Sequence, residues 1–252
     1  MALFSRNIPW RGLVAESIVV VLSILLAFTI DAWWESRKND KQLHSMLQEV
    51  LDDLYAGKEL LDFYKTMGLA RKEASLKLLA VEGDAGELLS DEQGYRLVNS
   101  VGWFTERDIM PMGSVNALLS SGNVGQIRSA PLRRLISNLP TLIETASYNL
   151  NPEYDFAHNI WNPYISEKAN WIQIAAFGDD HVPGHPNEPW PADKAPIGEP
   201  VPLSDLLNDR EFRNLLYWNI ENLNTSAFYY NSLAGTLDEA IELIKAEIDI
   251  SN

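Results

Sequence analysis

Residues 12–34 read GLVAESIVVVLSILLAFTIDAWW, and this stretch decides the architecture. As an α-helix rising about 1.5 Å per residue it reaches about 34 Å, enough to cross a hydrocarbon core of about 30 Å. Trp10 on one side and Trp33 and Trp34 on the other fall where interfacial aromatic belts belong, with Arg6, Arg11, Arg37, Lys38 and Lys41 just outside them. The pattern predicts a short basic tail over 1–11, a transmembrane helix over 12–34 and a water-soluble domain over 35–252. A cleaved signal peptide also begins with arginines before an apolar run, but Asp31-Ala32-Trp33-Trp34 is a poor cleavage site and no small-x-small pattern follows the run. The segment is therefore expected to stay as an anchor.

Two carboxylates bracket the apolar run. The uncharged stretch from Ser17 to Ile30 is 14 residues, or about 21 Å, so Glu16 or Asp31 must lie near or below the headgroups. At about 100° per residue Gly12, Glu16, Ser23, Ala27 and Asp31 share roughly a third of the circumference, opposite Val21, Leu25 and Phe28. Small residues let backbones approach closely in lipid, and an intramembrane carboxylate normally faces protein. This face is the expected docking surface for another transmembrane helix. The rival reading is that Glu16 snorkels to the interface and the small residues are incidental. Lys/Arg counts on the two flanks are near parity. A short basic N-terminus before a long translocatable domain favours a bacterial inner-membrane signal anchor, N-terminus in the cytoplasm and domain in the periplasm.

Residues 42–252 hold 15 Lys/Arg against 31 Asp/Glu, which carries the net charge of -15 and disfavours nucleic acid and anionic headgroups as partners. The chain has no cysteine, so disulfides, zinc-thiolate sites, iron–sulfur clusters and thiol nucleophiles are excluded. Helical periodicity dominates the domain, and the expected class is all-α, a bundle-like array of seven or eight helices. Leu43, Leu47, Val50, Leu51, Leu54 and Leu61 form an apolar stripe running on from the anchor. Further helices are expected over 69–81, from a Ser90/Gln93 capping box to Val101, and over 115–120, 131–148 and 152–174. Two more are expected, one capped by Ser204 and running to Leu216, the other opening at Thr236. Between Gly178 and Pro202 lie seven of the thirteen prolines. That stretch predicts a long irregular loop, with Pro189, Trp190 and Pro191 as a partner-binding element.

Three segments resemble an uncharacterised family of bacterial single-pass membrane proteins. Glu16, six residues, then SILLAFTIDAWWE ending at Glu35 is similar to that family's anchor. ALLSSGNVGQIRSAPLRRL over Ala117–Leu135 is similar to its Leu-x-x-Ser-Gly element, and LNDREFRNLL over Leu207–Leu216 is a weaker third match. Asp31 stands where Asn is more usual, Ser23 where Gly is, and the proline-rich loop is a departure. The resemblance covers about a fifth of the chain and implies an anchor and a helical extracytoplasmic domain, without a chemistry.

No catalytic or cofactor motif is present: G-x-S-x-G, G-x-G-x-x-G and the P-loop are all missing. His181 and His185, after Asp179 and Asp180, have metal-ligand residue types, but Val-Pro-Gly between them suits a polar loop better than a helical metal site. Glu106, Asp108, Glu144 and Asp155 are acids of the sort any acidic domain offers. Ser121-Gly122 reads as a helix end. The aromatic residues from Tyr148 to Trp171 and from Tyr217 to Tyr230 read first as core and second as a groove or partner surface. The expected function is that of a non-enzymatic, membrane-anchored accessory subunit of a larger integral membrane protein complex, photosynthetic or respiratory assemblies being the commonest kind. A periplasmic ligand-binding or sensor-like domain is the alternative, although a tail of about eleven residues leaves no room for an output module. An anchored hydrolase ranks third. No cofactor or metal is expected.

Overall fold

The computed structural model describes residues 10–81, 89–102, 110–176 and 201–251, and these residues are helical with no strand among them. The first helix, α1, runs unbroken from Trp10 to Ala80, about 107 Å at 1.5 Å per residue. Its two parts face different surroundings. From Val14 to Trp34 every described side chain points outward, whereas Leu47, Val50, Leu54 and Leu61 are fully buried. Between them, residues 35–42 form an exposed polar stem of about 12 Å.

α1 is followed by α2 (Asp91–Gly102), α3 (Gly113–Ser120), a 3-10 turn (Asn123–Gln126) and α4 (Ala130–Asp155). A π-helical turn (Phe156–Trp161) leads into α5 (Asn162–Lys168) and α6 (Trp171–Ala176); α7 (Leu203–Leu207) and α8 (Arg210–Ser251) complete the order. α8 is 42 residues long and packs antiparallel to α1. The contacts fix the direction: Lys58 pairs with Asp238, Tyr64 stacks on Tyr230, Lys72 donates to Asn224 and Arg213 reaches the Leu79 carbonyl. α4 fills the third side, running parallel to α1 from the Glu247 end of α8 up to Arg71. Two cores result. The one nearer the stem joins Leu43–Leu61 of α1, Val115 and Leu118 of α3, Leu132–Leu150 of α4 and Tyr230–Ile244 of α8. The distal one joins Ala74 and Leu78 to Tyr95 and Val98 of α2, the π-turn, α5, α6, α7 and Phe212–Leu216. Each fully buried aliphatic side chain contributes about 1.5–3 kcal/mol.

Local signals account for several ends. Ser90 and Gln93 exchange the reciprocal 3.2 Å bonds of a capping box, and Pro131 sits in the first turn of α4 behind a Ser129 cap. Gly122, at φ 74°, turns the chain after α3, a conformation glycine adopts without penalty. The carboxylate of Glu247, on α8, accepts from the Arg128 and Ser129 amides at 2.5 and 2.9 Å and so completes the α4 terminus. Gly94 has another role: a Cβ there would fall 1.9 Å from Leu203, so α7 can close on α2 only over a glycine.

Several expected boundaries are corrected. The helix expected over 69–81 is the end of α1, because Gly68 interrupts nothing when α8 packs beside it. The helix expected over 152–174 does not begin at Pro152: Pro140 and Pro152 both lie inside α4, whose buried stripe continues through Leu150 and Glu153, and the chain breaks instead at Ala169. Ser204 is no cap; Pro202 precedes α7, and Asp91 accepts from the Leu203 amide. Asp209 caps α8 by accepting from the Glu211 amide at 2.7 Å, and that bond, with the Tyr164 hydroxyl, holds its carboxyl below the usual range. Thr236 opens nothing, since it lies mid-α8 with its hydroxyl on the Ser232 carbonyl.

Candidate functional site

In the apolar half of α1 the polar groups are largely satisfied from within. Ser23 donates to the Val19 carbonyl at 2.8 Å, and Thr29 to the Leu25 and Leu26 carbonyls at 2.8 Å, so neither hydroxyl needs water. Glu16, Ser23, Ala27 and Asp31 are all exposed, and Gly12 lies in the same helix with Trp10 and Arg11 at its start. Trp33 and Trp34 lie 6.4 Å apart, and the Arg37 guanidinium sits 5.7 Å from the Trp33 ring centre, a cation–π contact at the apolar boundary. Lys38 follows in the exposed stem. The face carrying Glu16, Ser23 and Ala27 is turned about 180° from the stripe of Leu43, Val50 and Leu61, taking 100° per residue. It points away from the side on which the domain packs. One helix among the described residues is long and apolar enough to cross a membrane, and it is this one.

The second candidate lies at the waist between the two cores. Arg71 is 3 % exposed and donates to Glu153 at 2.9 Å, to the Val101 carbonyl at 3.2 Å and to Asn219 at 3.3 Å. Asn219 donates onward to Ser75, which returns to the Arg71 carbonyl. Taking both charges out of water is costly, and several further hydrogen bonds are what make the burial tolerable. Beside this network a cleft of about 160 Å³ opens between α1 and α8. Its lining includes the buried Glu153 and Ser226, apolar wall from Tyr64, Tyr230 and Leu223, and positive charge from Lys65 and Lys72.

The distal core holds a second polar junction. The Tyr95 hydroxyl donates to the Val201 carbonyl at 2.8 Å, and Gln173 clasps the same residue through its amide and carbonyl. Burial, helped by Asp91 and Asp205, pushes the Tyr95 hydroxyl up to about 12 and keeps it a neutral donor. Val201 and Pro202 are thereby fixed; Pro189, Trp190 and Pro191, like Asp179, Asp180, His181 and His185, lie outside the described residues. So do Glu106 and Asp108. Glu144 and Asp155 sit on one helix about 16 Å apart along its axis, too far to work as a pair. Among the described residues no three His, Asp or Glu side chains group as a metal site. The aromatics divide: Phe156, Trp161, Tyr164 and Tyr230 are core, whereas Tyr148, Tyr217, Trp218 and Phe228 are exposed.

Arg71 and Glu153 went unselected on sequence, yet each leaves a trace there. Both occupy positions on the apolar stripe of their helices, where a charge is costly unless paired. The chain matches no family model, no curated protein and no solved structure.

Truncating either partner alone, as Arg71→Ala or Glu153→Ala, is expected to lower stability by about 3–5 kcal/mol by stranding the other charge. The double replacement Arg71→Met/Glu153→Leu should cost much less than the sum. Denaturant unfolding of the four proteins checks this, and additive losses would mean that the pair is not coupled.

Proposed function

We propose that the chain is a non-enzymatic, membrane-anchored accessory subunit that binds and stabilises a larger integral membrane protein complex. The observation that carries this reading is the continuity of α1, with one helix serving as apolar segment, stem and principal core element. A helix of this kind transmits position rigidly: whatever holds its apolar half also sets the height and rotation of the domain. The Glu16, Ser23, Ala27 and Asp31 face, turned away from the domain's packing side, leaves room for a neighbouring transmembrane helix. Small side chains there permit close backbone approach, and a carboxylate is better accommodated against protein than acyl chains. The exposed aromatics of α4 and α8 offer the domain a second surface of the composition favoured at protein contacts. Photosynthetic or respiratory assemblies of a bacterial inner membrane are the proposed class of partner, and the three-segment resemblance to bacterial single-pass proteins bears only on the anchor and the helical domain.

The double variant Ser23→Leu/Ala27→Leu keeps the segment apolar but fills the face. It is expected to insert normally while recovering several-fold less partner on purification from native membranes. Unchanged recovery would remove the docking face from the account.

This reading puts the domain in the periplasm with the N-terminus in the cytoplasm. Protease added to intact spheroplasts should then digest the domain, while protection until the membrane is breached would reverse the orientation.

A further inference from the structure

The waist cleft has no part in anchoring or docking, and its chemistry is of a different kind. We infer that it is a binding site for a small amphipathic monocarboxylate, with the carboxylate at Lys72 and Lys65 and the apolar body between Tyr230, Tyr64 and Leu223.

Size limits the ligand first. A cavity of about 150 Å³ lined by apolar side chains admits benzene, so the 160 Å³ here suits a single ring or a chain of about six carbons. The walls set its character. Tyr64 and Tyr230 stack with ring centres 6.2 Å apart, Leu223 is buried beside them, and Leu69 stays 66 % exposed although it lines the opening. Gly68 enlarges the space, because a side chain there would project towards Leu223, whose Cδ2 lies 3.5 Å from the Cβ position. Charge decides the remaining end. The chain carries -15 overall, yet the ionisable groups lining the cleft are Lys65, Lys72 and Glu153, the last already neutralised by Arg71 at 2.9 Å. The local excess is positive, which selects an anion. Lys72 spends one donor on Asn224 at 2.7 Å, which fixes its ammonium at the opening with donors to spare. Lys65 stands a looser 3.7 Å from Asp62. Ser226, 3 % exposed and lining the cleft, offers a hydroxyl to a polar substituent on the ligand. Pocket walls that are mostly apolar with a few convergent polar groups are the usual form of a small-molecule site.

The test uses the full chain in nanodiscs, titrated calorimetrically with benzoate, hexanoate, benzamide and benzylamine. Benzoate and hexanoate are expected to saturate with dissociation constants on the order of 1 mM or below, with benzamide about tenfold weaker. Lys72→Gln, which keeps a side-chain donor for Asn224 while removing the charge, should weaken benzoate about tenfold and leave benzamide unchanged, with the helical circular dichroism retained. Gly68→Leu, which fills the cleft, should abolish both with the helical circular dichroism retained. Benzamide binding as tightly as benzoate would overturn anion recognition. Tighter binding of benzylamine would reassign the cleft to cations held by Glu153. Binding that survives Gly68→Leu, or no saturation by either carboxylate up to about 10 mM, would remove the site altogether.

Discussion

A single continuous helix, apolar and exposed in its first part and buried along one side in its second, is the constraint on which everything else rests. In α1 the described side chains from Val14 to Trp34 are all exposed and do not pack on the domain. From Leu43 onward the same helix supplies the stripe about which both cores assemble. Backbone hydrogen bonding inside a helix is complete without neighbours, so this element passes between surroundings without exposing a peptide group. α8 answers it in antiparallel register over its whole length, and α4 closes the third side; α3 packs near the stem, and α2, α5, α6 and α7 fill the distal end.

The waist follows from that geometry. Two apolar cores stacked along one pair of helices must meet somewhere, and here they meet across Arg71, Glu153, Asn219 and Ser75. The Arg71–Glu153 pair ties α1 to α4 and Asn219 joins α8 to the same network, so sliding α4 by one turn along α1 would strand buried charge and sliding α8 would break the Asn219 hydrogen bonds. The cleft opens beside this junction, where Gly68 faces Leu223 without a side chain of its own.

What was legible in the sequence was local. The apolar run, the Ser90/Gln93 box, the Pro131 entry and the Gly122 turn each depend on residues within a few positions of one another. The misread boundaries depend on distant partners. Residues 217–235 contain Asn219, Asn222, Asn224, Thr225 and Asn231, poor helix formers that predict a gap, yet packing against α1 carries α8 straight through them. Pro152 likewise reads as a boundary and is absorbed into α4. Of the site residues, the Glu16–Asp31 face is visible from spacing alone, whereas the cleft joins residues about 160 positions apart and leaves no linear trace. The neighbouring network does leave a clue, in that Arg71 and Glu153 interrupt apolar stripes.

The most direct measurement is the distance across the stem. The chain has no cysteine, so spin labels at Ala27→Cys and Gln48→Cys mark one exposed position on each side of it. In nanodiscs an unbroken helix places the two Cα atoms about 32 Å apart, with a narrow distribution of distances. A broad distribution, or a mean shorter by 10 Å or so, would mean a hinge between segment and domain and would contradict a rigidly positioned subunit.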